Sequence, residues 1–236
     1  MNKKCIYTTI FDNYDILRSP SIISKGWDYI CFTDSCDLSS TIWDVRKVEC
    51  DKNLTPSLNN RKIKILEHNY IDRHYDLSVY IDGKIKINCD LDIFLRQIVD
   101  IDNHQDKNLI LPYHPRRSCL YQEFFACIRR NVVDKKKAYK LLFAYLREGY
   151  PMHNGLHSCT MLIRNDRMNE NMLTFMEMWF EAVKNIGRDQ LCFDYLTWKN
   201  KDLLKIHSFS HRYITGYKGD YFIQYTHGMQ GKENRL

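Results

Sequence analysis

The chain has 236 residues and a formal net charge of +6, a size that suits one domain or one domain with a small appendage. Hydrophobic residues make up 44% of it and aromatic residues 13%, with only nine Gly and five Pro, so the composition excludes a disordered or fibrous chain. No stretch approaches the roughly 18 apolar residues that a membrane span requires, and no adequate apolar region follows the basic N-terminus, so neither a span nor a signal peptide is predicted.

The first half of the chain alternates β patterns with helical patterns. Runs rich in β-branched and aromatic residues predict strands over residues 5–11, 27–33, 42–48 and 77–81. An apolar face predicts a helix over residues 56–74, and Asp90 is expected to cap a further short helix. Strands that alternate with helices predict βαβ units and a mostly parallel sheet.

The second half of the chain is more helical. Short apolar runs predict strands over residues 109–111 and 158–163, and helical patterns cover residues 121–133, 136–147, 169–185 and 188–199. The segment from Ile206 onward has little periodicity and is expected to wrap across a site or to remain partly mobile. The pattern predicts one α/β domain of the Rossmann type, in which helices flank a mixed, mostly parallel sheet.

Polar residues follow three of the predicted strands. Ligands of parallel sheets bind beyond the carboxyl ends of the strands, where an acidic residue can hold ribose hydroxyls and an aromatic ring can stack on a base. For the residues after the first strand, an Asx-rich turn explains the pattern equally well. The candidates at the strand ends are Thr8, Asn13, Tyr14, Asp15, Thr33, Asp34, Asp82 and Lys84.

Charged residues at one strand end and on one helix could bind a phosphorylated ligand. Asp82 ends a buried strand, where a carboxylate is costly unless it binds a metal, a cation or a sugar hydroxyl, although an ordinary Asp-Gly turn is the alternative. Arg61 and Lys64 share one helix face, so both could reach a diphosphate. Spacing alone favours a solvated stripe with Glu67.

A cationic loop and a glycine loop mark the second half. His114 and Arg117 precede Glu123, which serves equally well as a carboxylate at a helix N-terminus or as a sugar ligand. His157 lies between a glycine loop and a predicted strand. Zinc is not expected, because the two His-x-x-x-His patterns, at residues 153–157 and 207–211, fall outside predicted helices.

The turn Arg188-Asp189-Gln190 opens a predicted helix. Asp189 is either a cap of this helix or a group aimed into a cleft, and capping is the more frequent role of an isolated Asp at such a position.

Eight blocks occur in order between residues 7 and 199: YTTIFDNYD, WDYICFTD, WDVRKVE, NRKIKILEHNY, YDLSVYIDGKIKI, HPRRSCLYQE, GLHSCTMLIRND and GRDQLCFDYLTWK. Each block is weak alone, but the ordered set is fairly specific. On these blocks the chain resembles the TOD1/MUCI70-type glycosyltransferase-like family. The resemblance implies a GT-A fold and the transfer of a hexosyl unit from a nucleotide sugar.

The resemblance also implies roles for single residues. Asp82 takes the first position of the Asp-x-Asp motif, whose carboxylates hold Mn²⁺ or Mg²⁺ across the donor diphosphate. Lys84 stands at the second position, which makes a divalent cation doubtful, since a lysine can supply positive charge directly. By analogy with family-8-like retaining enzymes, Asp189 and Gln190 stand beside the anomeric carbon. His227 is a candidate third metal ligand.

The implied ligands are a UDP- or GDP-sugar and a glycan acceptor. The domain spans residues 1–205, with a nucleotide-binding half over about residues 1–100, an acceptor half over about residues 101–205, and residues 206–236 as a tail over the site. The donor would bind at the strand-end candidates together with Arg61 and Lys64. The acceptor would approach over His114, Arg117, Glu123, His157 and Arg188.

Location and pathway follow from the same resemblance. Plant members carry a membrane anchor, and because this chain has none we expect a cytoplasmic enzyme of surface-polysaccharide synthesis with, at most, peripheral membrane association. Nine dispersed cysteines, none in a Cys-x-x-Cys pair, fit reduced thiols in that compartment.

Two other classes of protein compete with the enzyme hypothesis. A catalytically inactive nucleotide-sugar or glycan-binding module would explain the lysine at position 84. A nucleic-acid-binding protein would explain the net charge, but the basic residues form no dense patch interleaved with aromatic residues, so no nucleic acid is expected.

Overall fold

The computed structural model describes residues 3–98, 108–214 and 221–227. Within these residues nine strands form: β1 Lys3–Ile10, β2 Trp27–Thr33, β3 Asp44–Lys47, β4 Tyr75–Ile81, β5 Ile85–Ile87, β6 Leu109–Pro112, β7 Met161–Asn165, β8 Ile206–Phe209 and β9 Phe222–Gln224. The same residues contain six α helices: α1 Pro56–Ile65, α2 Leu91–Ile98, α3 Leu120–Arg129, α4 Lys135–Arg147, α5 Glu170–Ile186 and α6 Gln190–Lys199. Two 3-10 turns cover Glu67–Asn69 and His211–Tyr213.

Seven strands form one sheet in the order β3-β2-β1-β4-β7-β6-β8. Strand β7 is antiparallel to both of its neighbours, and the other pairs are parallel. The sheet is therefore mixed and mostly parallel, as predicted. At one edge the carboxyl ends of six strands meet the start of β7, and polar residues from different parts of the chain converge there.

Both faces of the sheet are buried, because alternate residues of each strand point to opposite sides. In β1, Cys5 and Tyr7 face the core that five helices cover (α1 and α3 to α6), while Ile6 and Ile10 face a smaller core. Helix α2 covers this second core, together with the two-stranded ribbon of β5 and β9. The chain is a single α/β domain with helices on both sides of the sheet.

Several predicted boundaries differ from the observed ones. The helix predicted over residues 56–74 ends at Ile65, where Leu66 leaves helical geometry with φ −95° and ψ 44°. The chain must turn there because Glu67 points inward to pair with Arg167. Strand β7 begins at Met161 rather than at residue 158, because residues 158–160 belong to the polar edge.

The segment from Ile206 onward contributes two strands. β8 lies beside β6 in the main sheet, and β9 pairs with β5. Residues 215–220 and 228–236 of the predicted tail lie outside the described residues. Across the described residues, no helix combines the length and apolarity needed to span a membrane.

A buried ion pair fixes the amino-terminal side of the sheet. Arg167 donates from Nε to Glu67 Oε1 at 2.9 Å and from NH2 to Oε2 at 3.0 Å, and both side chains are almost inaccessible to solvent. Arg167 also donates to the carbonyl oxygens of Ile71 and Asp72. These bonds attach the segment after α1 to the loop after β7.

We predict that Glu67→Gln destabilises the fold by about 3–5 kcal/mol, because it leaves the Arg167 guanidinium buried without a counter-charge. The free energy of unfolding in urea measures the change. Glu148→Gln is the matched control: Glu148 also accepts from a cation, Lys199, but at the surface, and the change should be small. Equal losses of unfolding free energy in the two variants would show that the buried pair matters no more to stability than the surface pair.

Candidate active site

A cavity of about 490 Å³ opens at the polar edge of the sheet. The lining residues come from the ends of β1 and β4, from α1, from the approach to β7 and from the start of α6. They are Thr9, Phe11, Asp12, Tyr14, Asp15, Thr55, Pro56, Ser57, Asn60, Arg61, Lys64, Tyr80, Asp82, Gly83, Lys84, Ser158, Cys159, Thr160, Arg188, Asp189, Gln190 and His227. Most of the residues expected to bind a donor therefore share one cavity.

Lys64 joins the two principal carboxylates of this cavity. Its Nζ donates to Asp189 Oδ2 at 2.6 Å and lies 3.6 Å from Asp82 Oδ1. The ammonium also sits 4.9 Å from the centre of the Tyr80 ring, whose hydroxyl donates to Asp82 Oδ1 at 3.0 Å. Only 6% of the Lys64 side chain is exposed, so the solvated stripe that spacing favoured is wrong.

Asp189 is held as an anion at the start of α6. Burial raises the pKa of its carboxyl, but the charges of Lys64, Arg61 and Arg188 outweigh burial and hold the pKa below its ordinary value. Asp189 Oδ1 accepts from the Gln190 backbone N at 3.0 Å and lies 3.7 Å from Arg61 Nε. Asp189 therefore caps the helix and also faces the cavity, so both interpretations of this residue apply.

A second cluster borders the cavity where β4 ends. His227 Nδ1 donates to Asp15 Oδ1 at 2.9 Å, and His227 Nε2 lies 3.3 Å from Lys84 Nζ. The Tyr14 ring lies 4.7 Å from the His227 ring. Gly83 permits the close approach of Asp15, since a Cβ at Gly83 would lie 3.0 Å from Asp15 Cβ.

The cationic loop after β6 forms its own charge network beside the cavity. Arg117 Nε donates to Glu123 Oε2 at 2.6 Å, and Arg188 NH2 lies 3.6 Å from Glu123 Oε1. His114 Nδ1 accepts from the backbone N of Arg116 and Arg117, so this ring closes the turn. Of the predicted acceptor residues in this network, Arg188 lines the cavity, while Glu123 is buried in ion pairs.

His157 belongs to a second network outside the cavity lining. Its Nδ1 bonds to Asp194 Oδ1, and its Nε2 lies 2.7 Å from Ser208 Oγ. The order Asp–His–Ser resembles a hydrolytic triad, but none of the three residues lines the cavity. The network instead holds β8 against α6, and Gln190 Nε2 bonds to the His157 carbonyl at 2.8 Å.

Four predicted donor residues do not line the cavity. Thr8 points to the opposite face of β1 from Thr9, and the Thr33 hydroxyl accepts from Ser35 N at 3.1 Å within a local turn. Asp34 accepts from the backbone N of Asp12 and so supports the loop after β1. Asn13 is exposed on that loop with φ 49°, in the left-handed region.

Several lining residues escaped the sequence argument. Thr9 is adjacent to a predicted residue, and strand alternation could have selected it once the inward face was known. Asn60 lies one helical turn before Lys64 and donates to the Thr9 carbonyl at 2.9 Å. Residues 158–160 were not selected as site residues, because their sequence pattern was interpreted as the start of a strand.

A divalent cation in this cavity would need side chains that can act as metal ligands. Within residues 3–98, 108–214 and 221–227, no three His, Cys, Asp or Glu side chains converge in a geometry that could hold a metal ion. Asp82 already faces the Lys64 ammonium, and Lys84 brings a second ammonium where the motif would place a carboxylate. The two ammonium groups would repel a divalent cation, so the lining around Asp82 fits a carboxylate-bound Mn²⁺ or Mg²⁺ poorly.

A mostly parallel sheet whose strand ends enclose carboxylates and cations is typical of α/β proteins that bind ligands beyond the carboxyl ends of their strands. The chain belongs to the family described as TOD1/MUCI70, glycosyltransferase-like domain, which matches residues 2–215. This confirms the resemblance that the ordered blocks carry.

The fold also matches a solved structure. The crystal structure of mouse xyloside xylosyltransferase 1, apo form, aligns with a TM-score of 0.53 at 9% identity, and the alignment covers 87% of this chain and 84% of that one. At this identity the likeness shows the fold alone, and it confirms the GT-A-like α/β class. No curated protein sequence matches the chain.

We predict that Lys64→Met destabilises the protein by about 3–5 kcal/mol, because Asp189 loses its nearest counter-charge inside the fold. The double variant Lys64→Met/Asp189→Asn should recover a large part of this loss, as a double-mutant cycle measured by urea unfolding would reveal. Lys62→Met, on the same helix with its partner Asp51 at the surface, is the control. If the losses of stability in the two single variants add up to the loss in the double variant, Lys64 and Asp189 are not coupled and the prediction is contradicted.

We also predict a pH dependence of stability from His114. Burial, aided by the neighbouring arginines, lowers the pKa of this ring to about 4. Below the ordinary pKa of histidine, this ring takes up a proton in the unfolded chain but stays neutral in the native protein. The free energy of unfolding therefore falls by about 1 to 2 kcal/mol as the pH drops from 7 toward 4.

His114→Asn should flatten that slope, because an amide oxygen can accept the two backbone bonds without titrating. Urea unfolding at a series of pH values gives the slope, with the exposed His153→Asn as control. An unchanged slope in His114→Asn would contradict the prediction.

Proposed function

We propose that the protein is a glycosyltransferase that moves a hexosyl unit from a UDP- or GDP-sugar to a saccharide acceptor. The observation that carries the proposal is the single cavity in which the cations Arg61 and Lys84 face the carboxylates Asp82 and Asp189. A sugar joined to a diphosphate needs both kinds of group, since cations bind phosphate oxygens and carboxylates accept from sugar hydroxyls.

Lys84 and Arg61 are the proposed diphosphate ligands. In the part of the chain that the structure describes, Lys84 Nζ bonds to the His227 ring and pairs with no carboxylate. Arg61 Nε is buried without a hydrogen-bond partner among those residues, so a modest rotation toward a bound anion would satisfy it. The Tyr14 ring, 61% exposed at the rim, is the proposed surface for the base.

Asp82, Asp189 and Gln190 are the proposed sugar-facing groups. In the reaction, the bond between the anomeric carbon and the leaving diphosphate oxygen breaks, and the acceptor oxygen forms a bond to that carbon. Positive charge at Lys84 and Arg61 stabilises the departing diphosphate, while the Asp189 anion stabilises the positive charge that develops on the sugar ring.

The state of Asp189 supports a retaining outcome. An inverting transfer uses a general base, and such a base works best when its pKa lies near the working pH. The cations around Asp189 hold the pKa of its carboxyl below the ordinary value, so this group is a poor proton acceptor. We propose that the acceptor proton leaves on the diphosphate oxygen and that the anomeric configuration is kept.

We propose that the transfer needs no divalent cation. The Lys84 ammonium supplies the charge that the Asp-x-Asp motif otherwise delivers through a metal. The nine cysteines are all free thiols, which supports reaction in a reducing compartment, and we propose the cytoplasm and surface-polysaccharide synthesis as its setting.

A binding module without activity is the second candidate. The lysine at position 84 favours it, because a site that has lost the metal position can still hold a nucleotide sugar. Release of free sugar from the donor separates the two candidates, since a transferase usually leaks sugar to water and a binding module releases none.

We predict that calorimetry with UDP, GDP and their sugars detects binding that EDTA leaves unchanged. Lys84→Ala should weaken the binding of the preferred nucleoside diphosphate about 10- to 100-fold, the effect of losing one charge-assisted hydrogen bond. Lys86→Ala is the matched control, two residues along the chain and outside the cavity lining.

Three results would contradict the proposal. Absence of binding by all these nucleotides, with or without Mn²⁺, excludes a donor site. Binding that EDTA abolishes contradicts the role of Lys84. Binding without any sugar release from a bound donor selects the inactive module.

A further inference from the structure

Helix α4 presents an unusual outer face. Its sequence KKKAYKLLFAYLR contains five basic residues and no acidic residue. Three large apolar side chains on it point outward, with exposed fractions of 41% for Tyr139, 62% for Phe143 and 43% for Leu146. A stable helix in water normally hides such side chains, so this face differs from an ordinary solvated surface.

The exposed apolar residues occupy the centre of this face. Residues spaced by three, four and seven positions lie on one side of a helix, which brings Tyr139, Phe143 and Leu146 together, and the Tyr139 and Phe143 rings stack with centres 6.4 Å apart. The neighbouring side of the helix, about 100° around its axis, packs on the core through Ala138, Leu142 and Tyr145.

Basic residues border the apolar centre on both sides. With a rotation of about 100° per residue, Lys135 falls on one flank and Lys136, Lys140 and Arg147 on the other. We name these seven residues the α4 outer face: Lys135, Lys136, Tyr139, Lys140, Phe143, Leu146 and Arg147.

Two acids flank the ends of helix α4. Asp134, which precedes the helix, caps it by accepting from Lys137 N at 2.8 Å. Glu148, which follows it, bonds to Lys199 Nζ and Tyr195 Oη on α6, and its charge also interacts with Arg147. The four basic residues of the α4 outer face outnumber these two acids, so the face keeps a net positive charge for a partner.

We propose that the α4 outer face docks on an anionic lipid membrane. The helix would lie in the plane of the surface, with Tyr139, Phe143 and Leu146 inserted among the headgroups and the basic flanks against lipid phosphates. Two aromatic rings and a leucine, with Lys135 on one flank and Lys136, Lys140 and Arg147 on the other, match a surface that is negatively charged outside and apolar beneath. A nucleic acid offers the charge but no apolar layer for Leu146 and Phe143 to enter.

Docking of this kind is independent of the reaction in the cavity. If the proposed function holds, it would place the protein beside any acceptors that are attached to lipid. The free energy per basic residue near an anionic surface is modest, so binding should be reversible and sensitive to salt.

Co-sedimentation with lipid vesicles tests the proposal. The full chain is mixed with vesicles of phosphatidylcholine alone, or of phosphatidylcholine and phosphatidylglycerol in equal parts, at low and at high sodium chloride. We expect binding to the mixed vesicles only, weakened by salt. Phe143→Ser/Lys140→Glu should lower the partition coefficient by at least about tenfold, since it removes an inserted ring and reverses one charge.

The control is Ile93→Ser/Lys201→Glu, which removes another exposed apolar side chain and reverses a charge elsewhere. Circular dichroism confirms that both variants fold, and the control should bind like the parent chain. Equal loss in both variants, equal binding to neutral vesicles, or no vesicle binding at all would overturn the proposal. Capture of a random DNA oligonucleotide by the α4 outer face in place of vesicles would also overturn it.

Discussion

The architecture of the site depends on one buried cation, the Lys64 ammonium. It connects helix α1 to the end of β4 through Asp82 and to the start of α6 through Asp189, at 3.6 and 2.6 Å. Without it Asp82 would lose its cation, and Asp189 would keep only Arg61 and Arg188 as counter-charges in a poorly solvated space. A buried ion pair adds little net stability because desolvation offsets the attraction, so its contribution is geometric: it fixes where the two carboxylates stand.

The charges of the cavity fall into two groups: those that are paired within the fold, as Lys64 is with the two carboxylates, and those that remain available to a ligand. Asp189 and Asp82 are neutralised inside the fold, and Glu123 neutralises Arg117 beside it. Lys84 contacts a histidine instead of an acid, which leaves its positive charge directed at the cavity. This division supports the proposed binding of an anionic diphosphate at Lys84, in the same cavity as the carboxylates proposed to face the sugar.

The sequence specified the architecture better than the site. Strand and helix periods are local, so most elements and the mostly parallel sheet were predictable. Asp82 and Lys84 followed from the rule that ligands bind at strand ends, and Asp189 followed from its place at a predicted helix start together with the family resemblance. The sequence argument selected Thr8 instead of Thr9. Successive residues of a strand point to opposite faces of the sheet, and two adjacent threonines do not show which of them points to the cavity. The burial of Lys64 and Glu67 was not predictable, because their partners Asp189 and Arg167 lie about a hundred residues away in the chain.

A crystal structure of the chain with the nucleoside diphosphate that it binds would test the central claim most directly. The account predicts phosphate oxygens within hydrogen-bonding distance of Lys84 Nζ and Arg61, with Lys64 still bonded to Asp189 and no ion between the phosphates and Asp82. A metal bridging the diphosphate to Asp82, or a nucleotide bound away from the cavity, would contradict it.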